Sequence, residues 1–214
     1  MANRNYTPFD QLLMNLDHGL RTVFGKPVVS ERPNPADGAT EAELSDEERQ
    51  LAVRLMRINH AGEVSAQALY QGQALTAKLP DVRDKMERAA LEENDHLEWC
   101  ERRVTELGSH TSLLNPLWYG GSLAMGALAG KVGDKWSLGF VAETERQVIS
   151  HLEEHLEQIP EKDIRSRKIL EQMKEDETHH GHMAMEAGGV DLPAPIKGMM
   201  QLTSKVMTKT AYWL

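Results

Sequence analysis

An all-α four-helix bundle is the fold class this sequence predicts, and three observations carry it. Strand signals are scarce over the 214 residues, whereas helix starts and stops are plentiful. Two long helical hairpins are separated by one long connection, the layout of a bundle with a crossover. A Glu-x-x-His pair recurs on the second helix of each hairpin, and residues three apart share a helix face.

The elements follow in order. Phe9, Leu12, Leu13, Leu16, Leu20, Val23 and Phe24 recur at helical spacing, an amphipathic helix of four turns. Residues 25–44 hold Pro27, Pro33, Pro35 and Gly38 and read as an extended linker. Ser45 and Glu48 form the S-x-x-E capping pattern, and a helix then runs to about Lys78. Gly62 and Gly72 inside it cost about 1 kcal/mol each relative to alanine, which points to close packing or a bend. A second bundle helix spans Asp81 to Leu107, a third Lys135 to Gln158, and a fourth Pro160 to Ala187. The apolar stripe Ile196, Met199, Met200, Val206, Met207, Tyr212 and Trp213 closes the chain. This divides it into 1–44, a helix and linker; 45–189, the bundle; and 190–214, a basic amphipathic segment.

Charge and cysteine content narrow the function. Lys+Arg number 24 against 33 Asp+Glu, a net charge of −9, which disfavours nucleic acid as a partner. The lone Cys100 excludes an internal disulfide and cysteine-ligated metal clusters, and reads as a packed core residue. A metal would have to be held by carboxylates and imidazoles. The N-terminal residues show no signal peptide, which points to the cytosol.

Two segments complicate that placement. Residues 111–130 contain no charge in twenty positions, although 27% of the chain is charged. The stretch fits a transmembrane helix, weakened by Asn115, Pro116 and paired glycines; a buried crossover; or an apolar lip entering one leaflet. From Leu192 to Leu214 there are three lysines and no acids. Such a segment suits either an anionic membrane surface or docking on its own bundle. A peripheral place on the cytoplasmic face of the cell membrane is the expectation.

The chemistry concentrates at mid-bundle. Glu92-Glu93-Asn94-Asp95-His96 and Asp176-Glu177-Thr178-His179-His180 each hold an acid followed by Glu-x-x-His. One such pair arises readily by chance in acidic helices; two at matched places do not. Glu63 and Glu145 supply an acid from the first helix of each hairpin, 30 and 32 residues before Glu93 and Glu177. At about 1.5 Å per residue, each hairpin brings its two glutamates within about 5 Å in height. Four carboxylates and two imidazoles suit iron or manganese better than zinc or copper. Two divalent ions would balance four negative charges that a dry core could not otherwise hold.

Competing readings involve the same residues. Asp176 with His179, and His179 with His182, are alternative registers, but Glu177 with His180 repeats the pattern of the second helix. His151 to His155 matches H-x-x-E-H, an inverted zinc-protease pattern, yet it leaves both Glu-x-x-His pairs unexplained. His151 and His60 lie near Glu145 and Glu63 and could support the ligands, or be ordinary polar helix residues.

Taken together, several blocks resemble the demethoxyubiquinone hydroxylases. These are Arg57-x-Asn59-His60-Ala61-Gly62-Glu63-Val64, the stretch Gln67-Ala68-Leu69-Tyr70-Gln71-Gly72-Gln73, Glu93-x-x-His96, the Glu145 segment and Asp176-Glu177-x-x-His180. The resemblance spans about residues 45–189 and implies a ferritin-like di-iron monooxygenase of ubiquinone biosynthesis. It implies Glu63, Glu93, His96, Glu145, Glu177 and His180 as ligands of two iron ions, with Glu93 and Glu177 bridging. It further implies dioxygen as co-substrate, a polyprenylated benzoquinol substrate hydroxylated on its ring, and peripheral membrane association. The electron donor stays unidentified, other ubiquinone-biosynthesis proteins being candidates, and a homo-oligomer is left open. A ferritin-like iron-oxidising, storage or peroxide-scavenging protein is the alternative, which explains the ligands but neither the uncharged crossover nor the basic tail.

Overall fold

A computed structural model describes residues 8–25 and 32–214, with backbone alone for 8–13, 15 and 16. The described residues form seven helices and no strand: α1 (Pro8–Phe24), α2 (Asp46–Thr76), α3 (Pro80–Glu106), α4 (Asn115–Val132), α5 (Asp134–Gln158), α6 (Ile164–Glu186) and α7 (Ala194–Ala211). Hairpins α2–α3 and α5–α6 make the bundle. α4 is the crossover, and α7 packs on α2 and α5.

Local chemistry sets most boundaries. The capping box forms: Glu48 N–H donates to Ser45 Oγ at 3.3 Å and Ser45 N–H donates to Glu48 Oε2 at 2.7 Å. α2 stops at Thr76, two residues before the expected end, because Lys78 and Leu79 N–H donate to the Asp134 carboxylate, each at 3.0 Å. The fourth bundle helix starts at Ile164, not Pro160. Asp163 overrides the proline: its carboxylate accepts from Ser166 N–H at 3.1 Å and Ser166 Oγ at 2.6 Å, and pairs with buried Arg103 at 2.8 Å.

The uncharged stretch becomes α4, lying along α2 at backbone contact. A Cβ on Gly126 would press into the Leu69 carbonyl, and one on Gly72 into the Leu123 carbonyl. Glycine at 72 therefore marks close packing, as its place in the sequence suggested. No helix among the described residues is long and apolar enough to cross a membrane. α4 is a crossover packed on α2 but not a buried one: Leu117, Leu128 and Val132 are 61–67% exposed, which leaves the apolar-lip placement beside it.

The Gln67–Gln73 block serves the same packing. Gln67 Nε2 donates to the Ala90 carbonyl and to Asn94 Oδ1, Gln73 Nε2 to the Ser137 carbonyl, and the Tyr119 hydroxyl to Gln71. These bonds tie α2 to α3, α4 and the start of α5.

Of the N-terminal stripe, Phe9, Leu12, Leu13 and Leu16 have side chains outside the description, and Leu20 and Phe24 are exposed. Linker residues 26–31, Pro27 among them, also lie outside it. From residue 32 the linker is docked, with Ala36 and Leu44 buried.

Two apolar cores fill the bundle. One contains Leu69, Tyr70, Met86, Leu138 and Val141; the other contains Leu55, Met56, Trp99, Cys100, Leu152, Leu170 and Met173. Cys100 is a core residue, its sulfur 3.6 Å from that of Met173. Between the two cores, on all four bundle helices, lie the acids and histidines.

Candidate metal centre

Glu63 projects from α2, Glu93 and His96 from α3, Glu145 from α5, and Glu177 and His180 from α6. None is more than 5% exposed. One ligand atom from each of Glu63, Glu93, His96 and Glu177 lies within 4.8 Å of the others, and the same holds for Glu93, Glu145, Glu177 and His180. The two groups share Glu93 and Glu177. All six residues singled out in the sequence are thus brought together, in two overlapping sets.

Both imidazoles point Nδ1 inward. His96 Nδ1 stands 3.0 Å from Glu177, 3.2 Å from Glu93 and 3.4 Å from Glu63. His180 Nδ1 is 3.0 Å from Glu177 and 3.7 Å from Glu93. Each Nε2 is held from the opposite helix: His96 by Asp176 at 2.9 Å, His180 by Glu92 at 2.7 Å. A proton fixed on Nε2 leaves the Nδ1 lone pair for a cation, the arrangement by which carboxylates orient ligating histidines. The acids preceding each Glu-x-x-His are therefore reciprocal partners. In the sequence they served to choose the register; that each holds the other helix's histidine follows only from the packing.

The cluster sets like charges against one another in a dry site. Burial pushes the Glu63 and Glu145 carboxyls well above the usual carboxylate range, and the nearby Glu93 and Glu177 respectively push them further. Burial also opposes charge on Glu177 and His180, but here partners outweigh it. His180 and His96 hold Glu177 down at about 2, while Glu177 and Glu92 hold His180 up at about 11.

Residues that a metal would use are also under-satisfied by protein alone. Both Glu145 oxygens and Glu93 Oε1 are buried without a hydrogen-bond partner. Oxygen donors from four carboxylates and two imidazole nitrogens, in two four-residue sets sharing two members, fit a pair of divalent ions such as iron.

Other sequence candidates fall elsewhere. His60 is buried with Nδ1 3.4 Å from Asn115 Nδ2, and burial brings it down to about 4. In the H-x-x-E-H stretch, His151 faces Ser204 at 3.1 Å, His155 faces Asn59 at 2.8 Å, and the Glu154 side chain is 63% exposed. Neither histidine joins a metal-binding group among the described residues. His179 and His182 are exposed.

A cavity of about 460 Å³ opens beside the cluster between α2, α4, α5 and α7. Glu63 forms part of its wall, together with Gly62, Leu69, Trp118, Met125 and Phe140, and the lining is predominantly apolar. No Cβ-sized obstacle faces Gly62, so the glycine beside Glu63 keeps this space open. Neither the cavity nor this use of Gly62 was apparent from spacing.

Comparisons with known proteins agree with this architecture. A bacterioferritin-related protein from Bacteroides fragilis, described as a dodecameric thioferritin, superposes with a TM-score of 0.51 at 20% identity, covering 64% of this chain and 84% of that one. That likeness concerns the fold. A 3-demethoxyubiquinol 3-hydroxylase of Nitrosococcus oceani is 61% identical over the full length of both chains. One from Acinetobacter baumannii is 61% identical over 211 residues, covering 99% of this chain and all of that protein. The family model for ubiquinone biosynthesis protein COQ7 matches residues 50–211, which include all six clustered acids and histidines. With that match and relatives aligned end to end, the chain belongs to the COQ7 family.

Proposed function

We propose that this chain is a 3-demethoxyubiquinol 3-hydroxylase that binds two iron ions and hydroxylates the ring of a polyprenylated benzoquinol. The single observation that carries the reading is the apolar cavity ending on Glu63. An iron-storage protein needs the carboxylates but not a space of this size, in the range of small-molecule sites, against them.

Glu63 and His96 would hold one ion, Glu145 and His180 the other, and Glu93 and Glu177 would bridge. Two irons so bound supply the activation of dioxygen for ring hydroxylation. The rest is the work of this chain. Asp176 and Glu92 keep a proton on each Nε2, which fixes both imidazole rings. The two apolar cores exclude water from above and below. Leu69, Met125 and Phe140 take the apolar body of the substrate, while Gly62 lets its ring approach Glu63.

The isoprenoid tail leaves toward α4 and α7. Leu113, Leu117, Leu128 and Val132 on and before α4, and Met199, Leu202 and Val206 on α7, are 51–68% exposed. Exposed Lys205 and Lys209 share the α7 stripe with Leu202 and Val206, and this basic, apolar exposure suits the cytoplasmic surface of the cell membrane, held peripherally.

Quinone analysis in a strain lacking the chain tests the reading. Accumulated demethoxy intermediate, relieved by the wild-type chain, is expected. A normal quinone pool with disturbed iron handling would overturn it in favour of iron oxidation or storage.

A further inference from the structure

The two halves of the cluster are anchored differently. On the His180 side, Glu92 is paired with Arg88, one turn back on the same helix, at 2.8 Å. On the His96 side the corresponding cation comes from outside the bundle. Arg32, in the arm before α2, places Nη1 2.8 Å from Asp176 Oδ2 and Nε 3.0 Å from Asp95 Oδ2. The same Asp176 oxygen faces His96 Nε2 at 2.9 Å. The guanidinium also lies 5.0 Å from the Trp99 ring, whose centroid is 5.4 Å from that of His96. Residue 32 precedes the residues matched by the family model.

Arginine suits this place because its planar fork spans two carboxylates that a point charge could not bridge with fixed geometry. Asp95 is 2% and Asp176 15% exposed at the side chain, so both acids are screened from water. The arm is pinned nearby: Asn34 Oδ1 accepts from Ala36 N–H at 2.9 Å, Ala36 enters the core beside Trp99, and Asp37 pairs with Arg102 at 2.7 Å.

We propose that Arg32 is a positioning residue of the metal centre, its guanidinium holding Asp176 on His96 and so setting the affinity of the Glu63–His96 ion and not that of its neighbour. The inference rests on the metal-centre reading above. It makes the two ions inequivalent through a residue that touches neither.

The test is a Co2+ titration of the metal-free full chain, followed by the visible absorption of each bound ion. Wild type, Arg32→Met, Arg88→Met and Asp37→Asn are compared. Two ions are expected for wild type. In Arg32→Met one ion binds about tenfold more weakly, with altered absorption bands, and the other as in wild type; removal of outer partners costs about 10–100-fold in affinity. Arg88→Met is expected to spare that ion, and Asp37→Asn, which loosens the arm but keeps Arg32, to match wild type.

An Arg32→Met titration identical to wild type would overturn the inference. So would an Asp37→Asn titration that matched Arg32→Met, since docking of the arm would then suffice. Should Arg32→Met fail to fold, Arg32→Lys, which keeps the cation but cannot span both acids, gives the same comparison. Failure of the wild-type chain to take up two ions would instead refute the metal-centre reading and the inference with it.

Discussion

Buried imidazoles inside and outside the carboxylate cluster meet opposite fates. In the carboxylate cluster, burial works against charge on His96 and His180, yet surrounding acids outweigh it and hold both well above their ordinary value. Outside the cluster, His60 and His155 have amide partners in Asn115 and in the cavity-lining Asn59, and burial drives each down to about 4. The lesson is that α2 and α5 together separate a charged carboxylate–imidazole cluster from an apolar cavity. Glu63 and Gly62, adjacent in sequence, sit at the partition.

Breaking the cluster should have the largest effect. Glu93→Ala removes a carboxylate common to both four-residue groups. Loss of both ions and of all measurable hydroxylation is expected, by iron analysis and single-turnover product assay. Two retained irons would refute the shared-ligand arrangement. Adding ferrous iron to the metal-free wild-type chain should raise Tm, because cations relieve buried like charges; Glu93→Ala should lose that rise.

Breaking the cavity should leave metal untouched. Gly62→Leu projects a side chain into open space in the cavity wall. Hydroxylation is expected to fall by about tenfold or more through lost substrate approach, with two irons still bound. Stability should be unchanged or raised by about 1 kcal/mol, since leucine is the better helix former. Retained activity would remove the cavity from the reaction.

The wall itself depends on the α2–α4 contact. Gly126→Ala presses a methyl group onto the Leu69 backbone, which cannot rotate away as a side chain could. Overpacking of this kind costs about 1–3 kcal/mol, and contact with backbone puts it at the upper end. Thermal melts should report that loss, whereas Gly62→Ala at the partition should not.

These contrasts also explain what the sequence made legible. The cluster depends on polar residues recurring at helical spacing within four helices, a signal that survives without knowing how the helices pack. Glu63, Glu93, His96, Glu145, Glu177 and His180 could therefore be named from position alone, and the Ser45 cap came from the same local chemistry. The roles of Glu92, Asp176 and Arg32 could not, because each acts across the bundle on a residue 63 or more positions away. Which residues wall the cavity was hidden for another reason: they are small and apolar side chains whose sequence signature is that of ordinary core. The start of α6 was missed because proline is acceptable in a first turn, and nothing local revealed that Asp163 would be buried against Arg103.

An effect absent at neutral pH tests the neutral side of the contrast through His155, the partner of cavity-lining Asn59. Its imidazole is held at about 4 by burial first, with His151 adding, and Nδ1 lies 2.8 Å from the Asn59 oxygen. In the unfolded chain a histidine takes up its proton near 6.5, whereas in the folded protein it resists until about 4. Between those values the unfolded state binds more protons, so stability falls as pH drops from 6.5 toward 4 and is fully present above 6.5. The span corresponds to at most about 3 kcal/mol. Other groups titrate in the same window, so the informative quantity is a difference. Stability of wild type minus His155→Gln should decline steadily as pH falls from 6.5 to 4, measured by denaturant unfolding of the metal-free chains. A difference independent of pH would mean that His155 takes up its proton as readily in the folded protein as in the unfolded chain, and the contrast between the buried imidazoles would then fail.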